Sequence, residues 1–278
     1  MSALSDDQSL TLTVPFKASN MNMGGRTHGG KIATFLVDAA KLLVHAHTAQ
    51  APEKTSQLLD FQVSYLKGGG RETLTAQARI TRRTQEFIFV SSVVVNSEQE
   101  PIAQANVVFR HYDADAAESP THHNHPTLEQ PPFQLPGSLE DSPHKNIVKL
   151  FNQAMKQAHP GSAVDYMAPG ICRMVQADYP EQYDFQGNIS AGQLLTFFDN
   201  VGGGSGSSLA SEFGLAVTLT IQAAFCEPVA GEDVIGYSQA FRREQGLSHN
   251  QIHLYGADSG RLKAFGTMTH LVRPPRRR

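Results

Sequence analysis

The sequence predicts an α+β protein built as a tandem: one module occurs twice, and each copy is an antiparallel sheet wrapped around a long central helix. Three observations lead to this prediction: an internal repeat, segments in which apolar and polar residues alternate, and one long apolar segment in each half. The chain has 278 residues, more than one hydrophobic core usually holds, so two domains are expected. We place the first module at residues 1–112, a linker at 113–145 and the second module at 146–278.

The internal repeat appears when 160 is added to residue numbers in the first half, so that the segment from about residue 9 to 112 recurs between about 170 and 273. Further upstream the offset is 162, which a two-residue difference in the loop after the helix explains. The matching pairs are Arg82-Arg83-Thr84-Gln85 with Arg242-Arg243-Glu244-Gln245, Gln62 with Gln222, Tyr65 with Phe225, Ile102 with Leu262, His28-Gly29-Gly30 with Ser190-Ala191-Gly192, and Thr34-Phe35 with Thr196-Phe197.

Each copy is predicted to contain one strand, one helix and then further strands. In the first copy, residues 10–16 alternate between apolar and more polar types, the pattern of a half-buried strand. Residues 28–48 are apolar on most of their surface, which indicates a buried helix. Four strands are expected after it, at 58–66, 74–80, 87–95 and 103–112. Their short connections favour antiparallel pairing, because parallel neighbours need longer crossovers.

Composition narrows the functional classes. No apolar run reaches the roughly 18 residues that a membrane-spanning helix needs, and the N-terminus lacks the basic and apolar regions of a secretory signal, so a cytoplasmic protein is expected. A net charge of −3 disfavours nucleic acid as a partner. Cys172 and Cys226 are too few for a disulfide framework and are interpreted as packing residues.

The predicted linker is rich in proline and carries the sequence His122-His123-Asn124-His125. Imidazoles bind metals, but no second group of ligands accompanies these, so no metal is expected. After the linker, residues 146–159 place apolar side chains at i, i+3, i+4 and i+7, which predicts an amphipathic helix that packs as structure.

A glycine-rich turn opens the long helix of each copy, at residues 24–30 and 187–192. The first turn of a helix presents unpaired N–H groups and the positive end of the helix dipole, so each turn is a candidate oxyanion hole. The alternative interpretation is that glycine permits close packing of helix and sheet.

Asp199 is the strongest candidate for a catalytic side chain, because it follows an apolar run on the second helix. A carboxylate among such neighbours is either functional or a hydrogen-bonded core residue. Asp38 looks like its counterpart, yet the gap-free match of the two helices places Val37 opposite Asp199. One residue is about 100° around a helix, so we predict a single active site, with the first copy degenerate.

A His-Gly-Gly helix start in one copy and an Asp nine residues beyond the matching start in the other resemble features of the hotdog fold of acyl-CoA thioesterases. The tandem form is similar to the double-hotdog, TesB-like acyl-CoA thioesterase II family, and the resemblance covers nearly the whole chain outside the linker. It implies that residues 28–40 match the family's Gly-Gly-Gln helix, in which the position of Asp38 has no catalytic role.

The resemblance also implies a catalytic Asp/Thr/Gln set in the second module. Asp199 matches the Asp and Thr218 matches the Thr. Counting back from Arg273, the Gln position falls on Met268, which cannot hold a water by hydrogen bonding, so Thr267 and Thr269 are considered as substitutes.

The implied reaction is hydrolysis of an acyl-CoA, or of a related acyl thioester, to a free acid and a thiol. The N–H of Gly29 or Gly30 would stabilise the oxyanion, Asp199 would act as general base or nucleophile, and Thr218 would hold the water. His28 is interpreted as a further donor or as a helix cap. Coenzyme A is part of the substrate, so no cofactor is expected, and a homodimer or higher oligomer is expected.

Two other functions stay open. A hotdog hydratase or dehydratase would pair its carboxylate with a histidine, and the sequence offers none at a matching place beside Asp199. A non-catalytic acyl-binding protein would keep an apolar tunnel and lose polar groups, and Met268 is the one residue that favours this function.

Overall fold

The computed structural model describes residues 2–6, 8–22, 24–49, 54–113, 141–209, 215–244 and 246–273. In the first half the elements are β1 (Ser2–Asp6), β2 (Ser9–Val14), α1 (Gly29–Thr48), β3 (Lys54–Tyr65), β4 (Leu74–Arg83), β5 (Phe87–Val95) and β6 (Pro101–Asp113). In the second half they are α2 (Lys145–Ala158), β7 (Ser162–Ala168), β8 (Ile171–Gln176), α3 (Ala191–Ser207), β9 (Leu215–Phe225), β10 (Val234–Glu244), β11 (Leu247–Gly256) and β12 (Leu262–Arg273). The repeat therefore includes the hairpins β1–β2 and β7–β8, and the predicted starts near residues 9 and 170 omit the first strand of each.

The twelve strands form one antiparallel sheet in the order β1-β2-β4-β5-β6-β3-β9-β12-β11-β10-β8-β7. Reading this order from either end gives equivalent strands, so the two copies are related by an approximate two-fold axis. The axis passes between β3 and β9, where Gln62 lies directly opposite Gln222. Both glutamines are exposed, which agrees with their interpretation as repeated architecture.

Helices α1 and α3 pack on the sheet and on each other. Helix α1 contacts β2, β3, β4 and β5, and α3 contacts β8, β9, β10 and β11. Along β4 every second residue is buried, as a strand with one face against a helix requires. On the helix side, Ile32, Leu36 and Leu43 are almost fully buried, each worth about 1.5–3 kcal/mol of hydrophobic free energy.

The last strands of the two copies match with an offset of 161, one residue more than the strands before them. Val94 pairs with Ala103 in the first copy, whereas Leu254 pairs with Ala264 in the second, so the second hairpin holds one extra residue. Accordingly the carbonyls of Ile102 and Lys263 accept the equivalent backbone hydrogen bonds. The predicted match of Ile102 with Leu262 is therefore wrong by one residue, since turn length fixes the register of a hairpin.

Helix α2 is the predicted amphipathic helix, and it packs against β7. Its side chains Val148, Phe151 and Met155 are buried. The tract His122-His123-Asn124-His125 lies outside the described residues. Of the two cysteines, Cys172 is buried as expected, but Cys226 is exposed at the end of β9, so its interpretation as a packing residue is wrong. Within the part of the chain that the structure describes, no helix combines the length and apolarity needed to cross a bilayer.

Candidate active site

Asp199 of α3 lies at the N-terminus of α1, the helix of the other copy. Its Oδ2 accepts a hydrogen bond of 2.7 Å from the backbone N–H of Gly30, and its Oδ1 accepts one of 2.7 Å from the hydroxyl of Thr218. Only 6% of the carboxylate side chain is exposed. The positive end of the α1 dipole and these two donors stabilise a buried negative charge that neither copy holds by itself.

Two glycines make this approach of the helices possible. A Cβ on Gly30 would lie 2.6 Å from the Cα of Thr196, and one on Gly29 would lie 3.0 Å from Oδ2 of Asp199. Across the two-fold axis, Gly192 packs against Thr34 in the same manner. The Thr34 hydroxyl lies 3.1 Å from that of Thr196, which fixes the helix register at the predicted offset of 162.

In that register Val37, which is fully buried, is the counterpart of Asp199. Asp38 lies one residue further around α1, where burial raises its pKa to about 6 and the nearby charges of Lys41 and Lys31 oppose that rise. The structure therefore brings Asp199 and Thr218 together with the start of α1 and leaves Asp38 outside this group.

His28 caps α1 and also contacts the carboxylate. Its Nδ1 accepts from the N–H of Gly30 at 3.0 Å and lies 3.1 Å from Oδ2 of Asp199. Burial lowers the pKa of His28, although the charge of Asp199 and a hydrogen bond to Asn200 act in the opposite direction. The expectation that no histidine lies beside Asp199 is wrong, because His28 comes from the other copy and only the fold brings the two side chains together.

The two predicted oxyanion donors differ in the structure. The N–H of Gly30 is occupied by Asp199 and His28. The N–H of Gly29 makes no hydrogen bond among those of the described residues, and the Gly29 carbonyl accepts a bond of 2.8 Å from the Tyr65 hydroxyl. Gly29 is therefore the open donor at this helix start.

Met268 does not lie beside Thr218. On β12 it pairs with Ile221, and its sulfur packs against Gly202 of α3. The alternatives also fail, because Thr267 is exposed and the Thr269 hydroxyl contacts Nδ1 of His249. The residue opposite Thr218 is His270, which is completely buried. A register shift between Thr269 and His270 decides this pairing, and a simple count along β12 does not reveal it.

Sequence reasoning missed three polar groups near the carboxylate. They are His270, the Tyr65 hydroxyl, and the side-chain nitrogen of Asn200, which is buried without a hydrogen-bond partner in the described part of the chain. Burial and the charge of Asp199 raise the pKa of Tyr65 well above its ordinary value, so the hydroxyl stays a donor. The repeat aligns Tyr65 with Phe225, so a hydroxyl is present in the first copy and absent from the second. That difference was the signal in the sequence for a polar role of Tyr65.

A cavity of about 510 Å³ adjoins the site. The N-terminal parts of both long helices line it through Lys31, Gln193 and Thr196, together with His159. The ring of His159 packs edge-on against that of His28 with centroids 4.7 Å apart, and burial lowers the pKa of His159 to about 3. The volume lies in the range of small-ligand sites. Among the described residues no three His, Cys, Asp or Glu side chains form a group that could hold a metal.

Comparison with known proteins identifies the relatives of this architecture. Residues 17–110 match the family model of the acyl-CoA thioesterase N-terminal domain. No curated protein matches the sequence. Among solved structures, the acyl-CoA thioesterase II TesB2 of Mycobacterium marinum is 14% identical with a TM-score of 0.65, and 99% of this chain aligns with 97% of that one.

Two further structures show the same likeness. The tesB protein of Mycobacterium avium subspecies paratuberculosis is 11% identical with a TM-score of 0.64, and 98% of this chain covers 96% of it. A conserved protein with a hotdog fold from Alicyclobacillus acidocaldarius is 16% identical with a TM-score of 0.63, and 99% of this chain covers 96% of it. The hotdog fold is shown by these structures, and together with the family match they confirm the predicted resemblance to acyl-CoA thioesterases.

Proposed function

We propose that this chain, whose residues 17–110 match the family model of the acyl-CoA thioesterase N-terminal domain, hydrolyses acyl-CoA at a single site built from both copies of a double hotdog. The observation that carries this proposal is the position of Asp199, a buried carboxylate held at the start of the other copy's helix by Gly30 and Thr218. Each carboxylate oxygen keeps a lone pair, so Asp199 is able to accept a proton from water.

The reaction follows from this arrangement. The water oxygen attacks the thioester carbonyl carbon while one water proton passes to Asp199, and the carbonyl electrons move to the oxygen beside the open N–H of Gly29. When the tetrahedral adduct collapses, the carbonyl re-forms, the C–S bond breaks, and the proton on Asp199 passes to the leaving sulfur. One acid and one thiol are released, the carboxylate is restored, and water is the only second reactant.

The substrate enters through the cavity between the two helix starts. His159 lines this cavity and packs against His28, which contacts the carboxylate, and Lys31 supplies a cation at the cavity wall. The acyl part lies toward the apolar residues of the helices in this proposal. We keep the module boundaries 1–112, 113–145 and 146–278, a cytoplasmic location and assembly into a homodimer or higher oligomer as predictions.

Thiol release from a panel of short, medium, long and aromatic acyl-CoAs tests the proposal. Asp199→Asn keeps the size of the side chain and removes the base, so kcat is expected to fall by about 10²–10⁴-fold. Asp38→Asn is the matched control, since it makes the same change to a partly buried carboxylate outside the site. Equal activity of wild type and Asp199→Asn on the best substrate contradicts the proposal.

A hydratase is the second candidate, because His28 and Asp199 form a histidine–carboxylate pair with 3.1 Å between Nδ1 and Oδ2. Thioester hydrolysis is favoured because Nδ1 of His28 already accepts the Gly30 N–H as a helix cap. Loss of the enoyl absorbance of a 2-enoyl-CoA, without thiol release, is the result that selects the hydratase.

A further inference from the structure

Five completely buried polar side chains form a network behind Asp199. The Ser205 hydroxyl contacts the Ser238 hydroxyl at 2.6 Å and Oδ1 of Asn250 at 3.3 Å, and the Ser248 hydroxyl donates to the same Oδ1 at 2.9 Å. The carboxamide nitrogen of Asn250 then lies 2.9 Å from Nδ1 of His270. All five residues are 0% exposed, and buried polar groups are costly unless they are satisfied or used.

This network fixes the tautomer of His270. A carboxamide nitrogen can only donate, so Nδ1 of His270 is an acceptor. Burial lowers the pKa of His270 to about 4, and the neutral ring therefore carries its proton on Nε2. That nitrogen is buried and has no hydrogen-bond partner among the described residues. The Nε2–H of His270 is therefore a donor of fixed orientation that has no acceptor among the described residues.

The ring lies on the side of α3 that carries Asp199. Its Cε1 is 3.3 Å from the place where a Cβ on Gly202 would sit, and Gly202 follows Asp199 by one helical turn. Nδ1 lies near Gly206, one turn further on, so the Cε1 edge of the ring, to which Nε2 is bonded, is the edge nearer Asp199. On the sheet, His270 is the cross-strand neighbour of Thr218, which itself donates to the carboxylate.

The first copy has no such network. The strand pairings and the helix register give every member an apolar, buried counterpart: Leu43 for Ser205, Ala78 for Ser238, Ile88 for Ser248, Val90 for Asn250 and Phe109 for His270. The glycines that make room for the ring, Gly202 and Gly206, have Ala40 and Val44 as counterparts. Glycine inside a helix costs about 1 kcal/mol, so a purely structural role gives no reason for this substitution.

We propose that His270 is a further residue of the hydrolytic site, whose Nε2–H donates to the water that Asp199 deprotonates. The proposal rests on the proposed function. It assigns to His270 the water-holding role of the family's Gln, a position that the resemblance places at Met268. Three groups then hold the water: the carboxylate of Asp199 receives its proton, while the Thr218 hydroxyl and the His270 ring orient it.

Two substitutions at one position separate this role from packing. His270→Gln places an amide nitrogen near the site of Nε2, whereas His270→Asn places one only near the site of Nδ1. We expect His270→Asn to lower kcat by about 10²-fold or more with KM nearly unchanged, the usual cost of losing one positioned donor, and His270→Gln to lose less than about tenfold. Thermal unfolding of both variants checks that they fold.

Met268→Gln is the control for the competing assignment. We expect kcat of this variant to equal that of wild type or to be lower, and not to rise, because Met268 faces Gly202 and not Thr218. A folded His270→Asn variant with wild-type kcat, or a large gain of kcat in Met268→Gln, overturns the role of His270 while leaving thioester hydrolysis in place.

A spectroscopic measurement decides the role even if wild type hydrolyses no acyl-CoA in the panel. Imidazole ¹⁵N NMR of the full chain is expected to show His270 as the neutral Nε2–H tautomer at neutral pH, with an Nε2 resonance that moves on Asp199→Asn and not on Asp38→Asn. An Nδ1–H tautomer, or a resonance indifferent to Asp199→Asn, overturns the proposal on its own.

Discussion

The two long helices begin in equivalent places, but among the hydrogen bonds of the described residues only the first turn of α1 donates to a carboxylate, whereas that of α3 donates to the Ser190 hydroxyl. At the start of α1, His28-Gly29-Gly30 meets Asp199 and Thr218. The start of α3 is Ser190-Ala191-Gly192. On this side of the two-fold axis, Val37 and Leu58 occupy the positions equivalent to Asp199 and Thr218. The contacts that join the helices, between each glycine and the opposite threonine, are present on both sides.

This difference between the two helix starts distinguishes residues that the fold requires from residues that the proposed reaction requires. Gly30 and Gly192 are both needed for the helices to approach, so a glycine at the helix start alone does not mark a catalytic site. In the proposed site the glycine is accompanied by a carboxylate, a hydroxyl and a buried imidazole, whereas the other side keeps apolar residues at those positions. Exchanging equivalent residues between the two sides therefore tests the assignment.

The largest effect among these exchanges is expected for Gly29→Ala, which introduces the residue that the second copy has at position 191. The new Cβ would lie 3.0 Å from Oδ2 of Asp199 and 3.5 Å from Oδ1 and from the Thr218 hydroxyl, so the carboxylate must shift by a few tenths of an ångström. Because small displacements of catalytic groups are costly, we expect kcat to fall by about 10–100-fold. Steady-state kinetics on the best acyl-CoA measures it.

The matched control is the reverse exchange, Ala191→Gly, at the helix start that receives no charge. It is expected to leave kcat within about twofold of wild type, with at most a small loss of stability from the more flexible residue. Similar losses of activity in both variants would mean that the two helix starts contribute equally, and the single-site assignment would then be wrong.

Much of the fold follows from the sequence, and the reasons are local. The strand-like run at 87–95 and the apolar surface of α1 gave their bounds nearly to the residue, because composition, periodicity and turn residues are short-range signals. The repeat gave the helix register, so Val37 and not Asp38 was matched correctly to Asp199. Thr218 was matched differently, through the resemblance to the TesB-like family, which has its Thr at the start of the strand after the helix.

The parts of the candidate site that were not predicted from the sequence depend on contacts between segments that are distant along the chain. The residue opposite Thr218 is His270, two positions beyond Met268, and a count back from Arg273 does not show the register shift between Thr269 and His270 that decides this pairing. The pairing of His28 with Asp199 joins residues of different copies and exists only after both helices pack. The serine and glycine residues of α3 were the available signal, since they are poor helix formers in a buried helix.

The buried imidazole gives a second expected difference between the copies, in the dependence of stability on pH. Burial lowers the pKa of His270 from 6.5 to about 4, so the unfolded chain binds more protons than the folded one between these values. Its stabilising contribution is complete above pH 6.5 and is lost as the pH falls toward 4. Between pH 7 and pH 5 the free energy of unfolding should fall by about 2 kcal/mol from this residue alone.

Denaturant unfolding of wild type and His270→Gln at several pH values measures this contribution. Other buried histidines, His28 and His159, act in the same direction in both proteins, so the difference between the two curves isolates His270. Parallel curves for wild type and variant would show that His270 is not a buried neutral group in the folded chain.

The smallest effect is expected for Tyr65→Phe, which gives the first copy the residue that the second has at position 225. The Tyr65 hydroxyl donates to the carbonyl of Gly29 at 2.8 Å and so orients the peptide next to the open Gly29 N–H. Loss of one neutral hydrogen bond is worth about 0.5–1.5 kcal/mol, so kcat should fall by about two- to tenfold while KM changes little. The reverse exchange, Phe225→Tyr, adds a hydroxyl on the side that receives no charge and should leave kcat unchanged. If Tyr65→Phe lowers the free energy of unfolding and leaves kcat at the wild-type value, the hydroxyl holds the helix start in place without contributing to the reaction.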